Sequence, residues 1–321
     1  MLSAILRVVR IKNLVIVAAT QYTMRFFIIQ PLLHSKGMNL QLNELMFFLL
    51  VLATVLITAA GYVINDYFDT KTDLINRPNT VVVGKSISRR ATITLHWILN
   101  TLGVFFGIVV SFSTGRPYLS FVFAIIPGLL WFYSTSYKRQ FLLGNIIVAT
   151  LTALVPLMVL LFELPILNEV YWQTLIFIPS TFNDLIYWIG GYTIFAFWLT
   201  LFREIVKDIE DFKGDKEYGR RTLPVVLGIK TTQIITASIL LLTIIILAYL
   251  FGAHLNFLPS GSFDFFTLFY MIIAMIIPIF ILIIKLLSAE KKEDYHWVSS
   301  FSKFVMLMGI LYAIPFRLFV S

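Results

Sequence analysis

Carboxylates are scarce in this chain and crowded where they occur. Of 17 acidic residues, nine fall in two short stretches: Asp66, Asp69 and Asp73 in one, and Glu204, Asp208, Glu210, Asp211, Asp215 and Glu217 in the other. Each stretch spaces three aspartates at i, i+3 and i+7, which gathers them on one face of a helix. The two sets are offset by 142 residues. Like charges this dense repel and raise one another's pKa, and a divalent cation relieves the repulsion. Mg²⁺ takes hard oxygen ligands, typically one or two carboxylates, and keeps water or substrate phosphate in its other positions. Lys138, Arg139, Lys207, Arg220 and Arg221 can offer direct contacts to phosphate oxygens, so the pattern suits gripping a diphosphate through metal bridges. One triad alone also reads as a solvated acidic turn. The repetition of the triad, each time after an apolar run, carries the chemical reading.

The elements that must position these groups are membrane spans. The chain is 59% hydrophobic and 13% charged, with a mean hydropathy of +0.89, too apolar for a soluble domain. Stretches of about twenty apolar residues, enough to cross a hydrocarbon core, lie near 14–33, 44–64, 93–113, 118–136, 142–162, 185–202, 231–251, 266–287 and 301–319. This predicts an all-α, multi-pass membrane protein of about nine helices. The first span contains Gln21 and Arg25, one helical turn apart. A charge near a helix centre costs about 2.5–3.5 kcal/mol on insertion scales, so Arg25 is expected to face the protein interior or to snorkel outward.

Alternating the loops across the membrane puts 21 of the 25 Lys and Arg residues on one side, including Arg7, Arg10 and Lys12. By the positive-inside rule that side is cytoplasmic; it holds the N-terminus and both Asp motifs, and the C-terminus falls outside. The net charge of +8 therefore reflects topology rather than nucleic-acid binding. With no cysteine in the chain, disulfides, thiolate metal sites and cysteine nucleophiles are excluded. The first apolar run reads as a retained helix, since it lacks a small-residue cleavage pattern.

The connections add detail. Residues 1–13 form a short basic lead-in, with Asn13 at the entry to the first span as an end cap or a site residue. The second span runs into the first triad without a helix breaker until Pro78, followed by a turn at Gly84-Lys85 and an N-cap region at Ser86-Ile87-Ser88. The sixth span is expected to continue in helical phase through Asp208 and Asp211 to Asp215, closed by Pro224. The longest outer loop is expected at 163–184 and a solvated cytoplasmic loop at 288–300. Two similar halves, roughly 1–140 and 141–321, share the plan of a span ending in an Asp motif.

Asn65-Asp66-x-x-Asp69-x-x-x-Asp73 with Arg77-Pro78, Tyr133-Ser134-x-x-x-Lys138-Arg139, and Lys207-Asp208-x-x-Asp211-x-x-Gly214-Asp215-x-x-x-Gly219-x-x-Thr222-Leu223-Pro224 together resemble the UbiA superfamily of intramembrane prenyltransferases. The string from Phe202 to Asp211 is most similar to the branch that includes digeranylgeranylglyceryl phosphate synthases. The resemblance implies a single prenyltransferase domain over 1–321, with spans around a central lipid-open cavity and cytoplasmic helical caps carrying the motifs. It implies two or more Mg²⁺ ions held by Asn65, Asp66, Asp69, Asp73, Asp208, Asp211 and Asp215, and catalysis by Asp69, Asp73, Asp211, Asp215 and Lys138. Substrate contacts would come from Asn13, Arg77, Tyr133, Lys138, Arg139, Lys207, Arg220 and Arg221.

The implied reaction is ionisation of an isoprenyl diphosphate and capture of the allylic cation by a membrane-associated acceptor. A prenylglyceryl phosphate is the foremost acceptor, and an aromatic acceptor of a quinone, haem or chlorin route is the alternative. The implied location is the cytoplasmic membrane of a prokaryote, with lipids and no nucleic acid as partners. A transporter or flippase of a phosphorylated lipid is the reading from another class. It fits less well, because transporters place charges near the midplane in broken helices.

Overall fold

A computed structural model describes residues 2–76, 79, 81–177, 182–257 and 261–320. The helices, in chain order, are α1 (Leu2–Val8), α2 (Ile11–Thr23), α3 (Gln30–His34), α4 (Glu44–Asn76), α5 (Arg89–Ser113), α6 (Ser120–Thr135), α7 (Leu143–Phe177) and α8 (Asn183–Glu210). They are followed by α9 (Phe212–Glu217), α10 (Leu223–Leu227), α11 (Ile229–Leu250), α12 (Phe265–Tyr270), α13 (Ile277–Leu287), α14 (Lys292–Leu311) and α15 (Ala313–Val320). Among the described residues there is no strand, only the isolated bridges Val83 to Ile87 and Phe257 to Phe263.

Eight helical segments among the described residues are long and apolar enough to cross a membrane. The ninth expected span, 14–33, is also helical, but as α2, a wider π turn at Met24–Ile29, and α3. The chain is an integral membrane protein of the all-α class.

It divides into two compact units, one made of Met1–Ala19, Leu42–Ile147 and Asp211–Thr222, the other of Thr20–Gln41, Val148–Glu210 and Leu223–Ser321. In the first unit α4 is 33 residues long, about 50 Å at 1.5 Å per residue. A hydrocarbon core takes roughly twenty of those residues, so the helix has length to spare, and its polar end from Asn65 to Asn76 carries the first triad. Small residues let α5 approach it closely: a Cβ on Gly103 would fall 2.7 Å from Ile57 and 3.2 Å from the Ala53 carbonyl. Buried His96 of α5 donates through Nδ1 to the Ala60 carbonyl at 2.9 Å and accepts at Nε2 from Asn100 at 3.1 Å. As expected, the Ser88 side chain caps α5, accepting from the Ala91 N–H at 3.2 Å. Gly84 turns the chain at φ +83°.

The second unit packs α8, α11, α13 and α14 around Leu199, Phe202, Val206, Leu240, Leu282, Val298 and Val305. Gln233 of α11 ties down the α13–α14 connection, its Nε2 within 2.8–3.0 Å of the Ala289 and Leu286 carbonyls and the Tyr295 hydroxyl. Arg25 and Glu163 are each 1% exposed and pair at 3.2 Å, which answers the charge in the first span: it faces inward and does not snorkel. Gln21, one turn away and buried, donates to the Val155 carbonyl at 3.2 Å.

Three expectations are corrected. The outer loop at 163–184 is mostly helix, because α7 runs to Phe177 through Pro156 and Pro165. The loop at 288–300 is short, because α14 starts at Lys292, where Asp294 accepts from the Glu290 and Lys291 N–H groups at 3.1 and 2.9 Å. The second triad does not share one helix. α8 ends at Glu210, Asp211 leaves helical geometry at φ −95°, ψ 8°, and α9 begins at Phe212.

Candidate active site

The polar end of α4 is the wall on which the first unit builds its site. Asn65 and Asp69 lie one turn apart, and Lys138 joins them, its Nζ 2.8 Å from Asp69 Oδ1 and 3.3 Å from Asn65 Oδ1. Lys138 sits on a tight 3-10 turn, Tyr137–Arg139, between α6 and α7. Gly144 makes that turn possible: a Cβ there would stand 2.7 Å from the Lys138 Cα.

Arg220 arrives from the other motif. After α9, Gly219 takes φ +65° and the Arg220 N–H bonds the Asp215 carbonyl at 2.9 Å, a left-handed glycine closure that a side chain at that position would strain. This closure brings the guanidinium back over Asp215, 3.3 Å away, while its other nitrogen reaches Asp69 Oδ1 and Thr72 Oγ1, both at 2.8 Å. One arginine therefore spans both aspartate motifs. Main-chain contacts fix the same arrangement: the Arg221 N–H donates to the Arg139 carbonyl at 2.9 Å, and the Tyr218 hydroxyl to the Lys71 carbonyl at 3.4 Å.

Burial makes these charges strong. Asp215 is 2% exposed, and its carboxyl is pushed up to about 6, first by burial and further by Asp211 and Asp69, against the pull of Arg220. Burial works against the Arg220 charge, but Asp69 and Asp215 hold its pKa above the ordinary value. Tyr133 also acts on Arg220 electrostatically. Asp66 is held apart from this node, on Arg10 Nη2 at 2.7 Å.

The remaining sequence candidates are placed less centrally. Asn13 donates to the Tyr62 hydroxyl at 3.4 Å, next to Arg10, which stacks 4.8 Å above the Tyr62 ring. The side chains of Arg139 and Arg221 are exposed, and Asp73 and Asp211 are half-buried. Asp208 and Lys207 end α8 in the second unit, where Lys207 pairs with Glu204 at 2.6 Å. Arg77 lies outside the described residues.

Sequence reasoning passed over Arg10, Thr72, Tyr218 and Gly144. Arg10 looked like one more positive-inside charge. Thr72 lies on α4 itself but carries no motif signal, and Tyr218 and Gly144 have none because only the folded turns give them their partners.

Among the described residues, no three Asp, Glu, His or Cys groups stand together as metal ligands. Lys138 and Arg220 instead occupy the carboxylates. The donor chemistry nonetheless fits a hard dication: the oxygens of Asn65, Asp69 and Asp215 converge on positive charge, and hard oxygens are what Mg²⁺ selects. Such an ion would be held there by exchange with the two basic side chains.

Comparison with known proteins identifies the family and the fold. The model of the UbiA prenyltransferase family matches residues 33–308. The digeranylgeranylglyceryl phosphate synthase of Saccharolobus solfataricus is 30% identical over 311 residues, 97% of this chain and 95% of that protein. A solved structure of a digeranylgeranylglyceryl phosphate synthase in membranes superposes with a TM-score of 0.65 at 21% identity, covering 99% of this chain and 98% of that one. A UbiA homologue from Archaeoglobus fulgidus, bound to GPP and Mg²⁺, superposes with a TM-score of 0.58 at 16% identity over 97% of this chain and 99% of that one.

Proposed function

This chain belongs to the UbiA prenyltransferase family and is a prenyltransferase, and from that premise we propose that it moves a geranylgeranyl group from its diphosphate to a prenylglyceryl phosphate. The observation that carries the reading is Arg220 spanning Asp69 and Asp215, which makes one site of two motifs far apart in sequence. The acceptor assignment rests on the similarity to digeranylgeranylglyceryl phosphate synthases, one of which is matched over 95% of its length.

In the proposed reaction Lys138 and Arg220 leave their carboxylates for the diphosphate oxygens, where their charge stabilises the negative charge that develops as the C1–O bond breaks. Asn65, Asp69 and Asp73, with Asp208, Asp211 and Asp215, would hold Mg²⁺, which supplies further neutralisation of the leaving diphosphate when bound. The acceptor hydroxyl then attacks C1 of the allylic cation, forming the ether bond, and its proton passes to the departing diphosphate. Apolar span walls keep water from competing for the cation. Tyr133, Arg77, Arg139, Lys207, Arg221 and Asn13 are available for substrate phosphates and for the entry to the site. The whole chain works as one prenyltransferase domain in a prokaryotic cytoplasmic membrane, with its N-terminus and Asp motifs on the cytoplasmic side.

The test is purified protein in detergent with Mg²⁺, labelled geranylgeranyl diphosphate and three acceptors: a prenylglyceryl phosphate, 4-hydroxybenzoate and dihydroxynaphthoate. Metal-dependent product with the glyceryl phosphate alone is expected. Product only with an aromatic acid would overturn the acceptor assignment, and no product with any of the three would overturn the reaction.

A further inference from the structure

Arg203 and Glu204 are charges that the proposed reaction leaves without a role. They lie on α8, which runs on to Glu210, so Arg203 stands about 10 Å back from the helix end, on a segment long and apolar enough to be a membrane span. An ionisable group in such a segment is costly, and it marks a functional site by default.

Arg203 Nη1 donates to Glu204 Oε1 at 2.9 Å, and Lys207 Nζ reaches the same oxygen at 2.6 Å. Two cations thus share one carboxylate oxygen, as Lys138 and Arg220 share Asp69. Neutralising Glu204 takes only one of them, and Lys207 is the nearer. A guanidinium carries five N–H donors in a fixed fork. Among the described residues the Arg203 fork makes a single hydrogen bond, the one to Glu204, and its Nε has no partner. The side chains are within reach of a ligand, with 19% of Arg203, 24% of Lys207 and 14% of Glu204 exposed. The three together carry surplus positive charge and unused donors, which suits an anion with several oxygens.

The helix describes the rest of the occupant. At 3.6 residues per turn, the residues that α8 buries in the core of the second unit, Leu199, Phe202, Val206 and Ile209, lie on one side. Glu204 and Lys207 lie on the other, with Arg203 at its flank. Further into the span the same side carries Thr193, Ala196 and Phe197, all half-buried. One helix face therefore passes from cations to a mostly apolar surface over about 15 Å, the layout for a charged head followed by an apolar chain. A phosphate monoester fits the head better than a carboxylate, because its charge of about −1.5 to −2 and three acceptor oxygens can satisfy both cations beside Glu204.

Asp208, placed above among the groups that would hold Mg²⁺, is about 7.5 Å along the helix from Arg203. In a prenylglyceryl phosphate the phosphate and the free hydroxyl stand on adjacent carbons. A phosphate held at Arg203 thus keeps that hydroxyl near the end of α8 that carries the aspartate motif.

We propose that Arg203, with Lys207 and steadied by Glu204, seats the phosphate of the acceptor and makes the enzyme select a phosphorylated acceptor over the same molecule without its phosphate. The inference rests on the acceptor reading given above and names the residue that recognises the acceptor's head.

The test is steady-state kinetics in detergent with Mg²⁺ and labelled geranylgeranyl diphosphate, using a prenylglyceryl phosphate or the corresponding prenylglycerol as acceptor. Arg203→Gln is expected to raise the KM for the prenylglyceryl phosphate at least about tenfold, the value of a hydrogen bond to a charged group. The KM for geranylgeranyl diphosphate should stay within about twofold, and the preference for phosphate over alcohol in kcat/KM should narrow by the same tenfold. Arg203→Lys, which keeps the charge and loses the fork, should recover part of the acceptor KM and of the preference, and it carries the test if Arg203→Gln does not fold. An arginine that serves only the structure would lower kcat or the folded fraction and leave the preference alone. That outcome would overturn the proposal, as would an equal rise in both KM values, which would give the site to the donor diphosphate, or an unaltered enzyme without preference for the phosphate. Product only with an aromatic acid would overturn the acceptor reading itself, whereas normal product from the prenylglyceryl phosphate with unchanged selectivity in both variants would overturn this inference alone.

Discussion

The two units each bury opposite charges, and they do so in different ways. In the second unit Arg25 and Glu163 pair one to one at 1% exposure each, and Glu163 also accepts from the main-chain N–H of Gln41. In the first unit Asp69 Oδ1 is shared by Lys138 and Arg220, Arg220 is shared by Asp69 and Asp215, and Lys138 and Arg220 keep 6% and 13% of their side chains exposed. A closed pair gives an incoming ion no access, so it serves to hold helices together. A shared set near the surface can exchange one partner for an incoming anion or cation without leaving a buried charge bare. The same chemistry of side chains thus gives an anchor in one place and a binding site in the other.

Breaking the shared set should give the largest effect. Asp69→Ala removes the acceptor common to Lys138 and Arg220, and kcat/KM is expected to fall at least about a thousandfold, roughly 4 kcal/mol of transition-state stabilisation. Thermal unfolding in detergent should fall by less than in Glu163→Ala, because Arg220 keeps Asp215 and Lys138 keeps Asn65. An Asp69→Ala enzyme with more than a tenth of normal activity would remove Asp69 from the chemistry.

The anchor should respond in the opposite sense. Glu163→Ala leaves Arg25 buried and unpaired, which costs about 3–5 kcal/mol of stability, while activity per folded molecule is expected to remain within a few-fold of normal. Replacing both partners, Arg25→Met with Glu163→Leu, should recover most of the loss, because two apolar groups remove both desolvation penalties together. A double variant as unstable as the single one would mean that Glu163 serves the Gln41 contact more than the pair. Thermal unfolding in detergent distinguishes the two.

Asp215 sharpens the comparison through pH. Its carboxyl rises from 3.8 to about 6 in the fold, so between those values the folded metal-free protein holds a proton that the unfolded chain has lost. Stability from this group is therefore full below about 4, is lost as pH rises to about 6, and is flat above. Metal binding runs the other way, since the ion displaces that proton. Affinity is expected to climb up to tenfold per pH unit below 6 and level off above it. Calorimetric titration with Mn²⁺ at pH 5, 6 and 7 checks this, and Asp215→Asn should flatten the profile.

Much of this was legible in the sequence, for identifiable reasons. Membrane spans announce themselves by length and hydropathy, and the polar end of α4 follows from a helix pattern that no breaker interrupts before Pro78. The paired motifs named Asp69, Asp215, Lys138 and Arg220, because charges at a membrane boundary are costly enough to be sparse. What stayed hidden depended on backbone geometry. The second triad has the spacing of one helix face, yet the chain leaves the helix at Asp211, and this break allows the Gly219 closure to aim Arg220 at Asp69. Glu163 falls within the expected outer loop at 163–184, yet α7 runs on past it through Pro165, because a long apolar helix tolerates proline when neighbouring spans support it. Gly144 carries no chemical signal at all; its role is the space it leaves for Lys138.

The smallest effect is expected at Asp66, which has the sequence spacing of a motif member but sits on Arg10 rather than in the shared set. That pair is partly solvated, with side-chain exposures of 39% for Arg10 and 21% for Asp66, and exposed pairs contribute about 0–1 kcal/mol. Asp66→Asn keeps the shape and a hydrogen-bond acceptor for Arg10 while removing the charge. We expect kcat/KM and the Mn²⁺ affinity to stay within about threefold of normal, less than one kcal/mol. A loss approaching that of Asp69→Ala would place Asp66 among the metal ligands. In that case Arg10 would be a third exchangeable cation beside Lys138 and Arg220, and Arg10→Ala would then be expected to tighten metal binding rather than leave it unchanged.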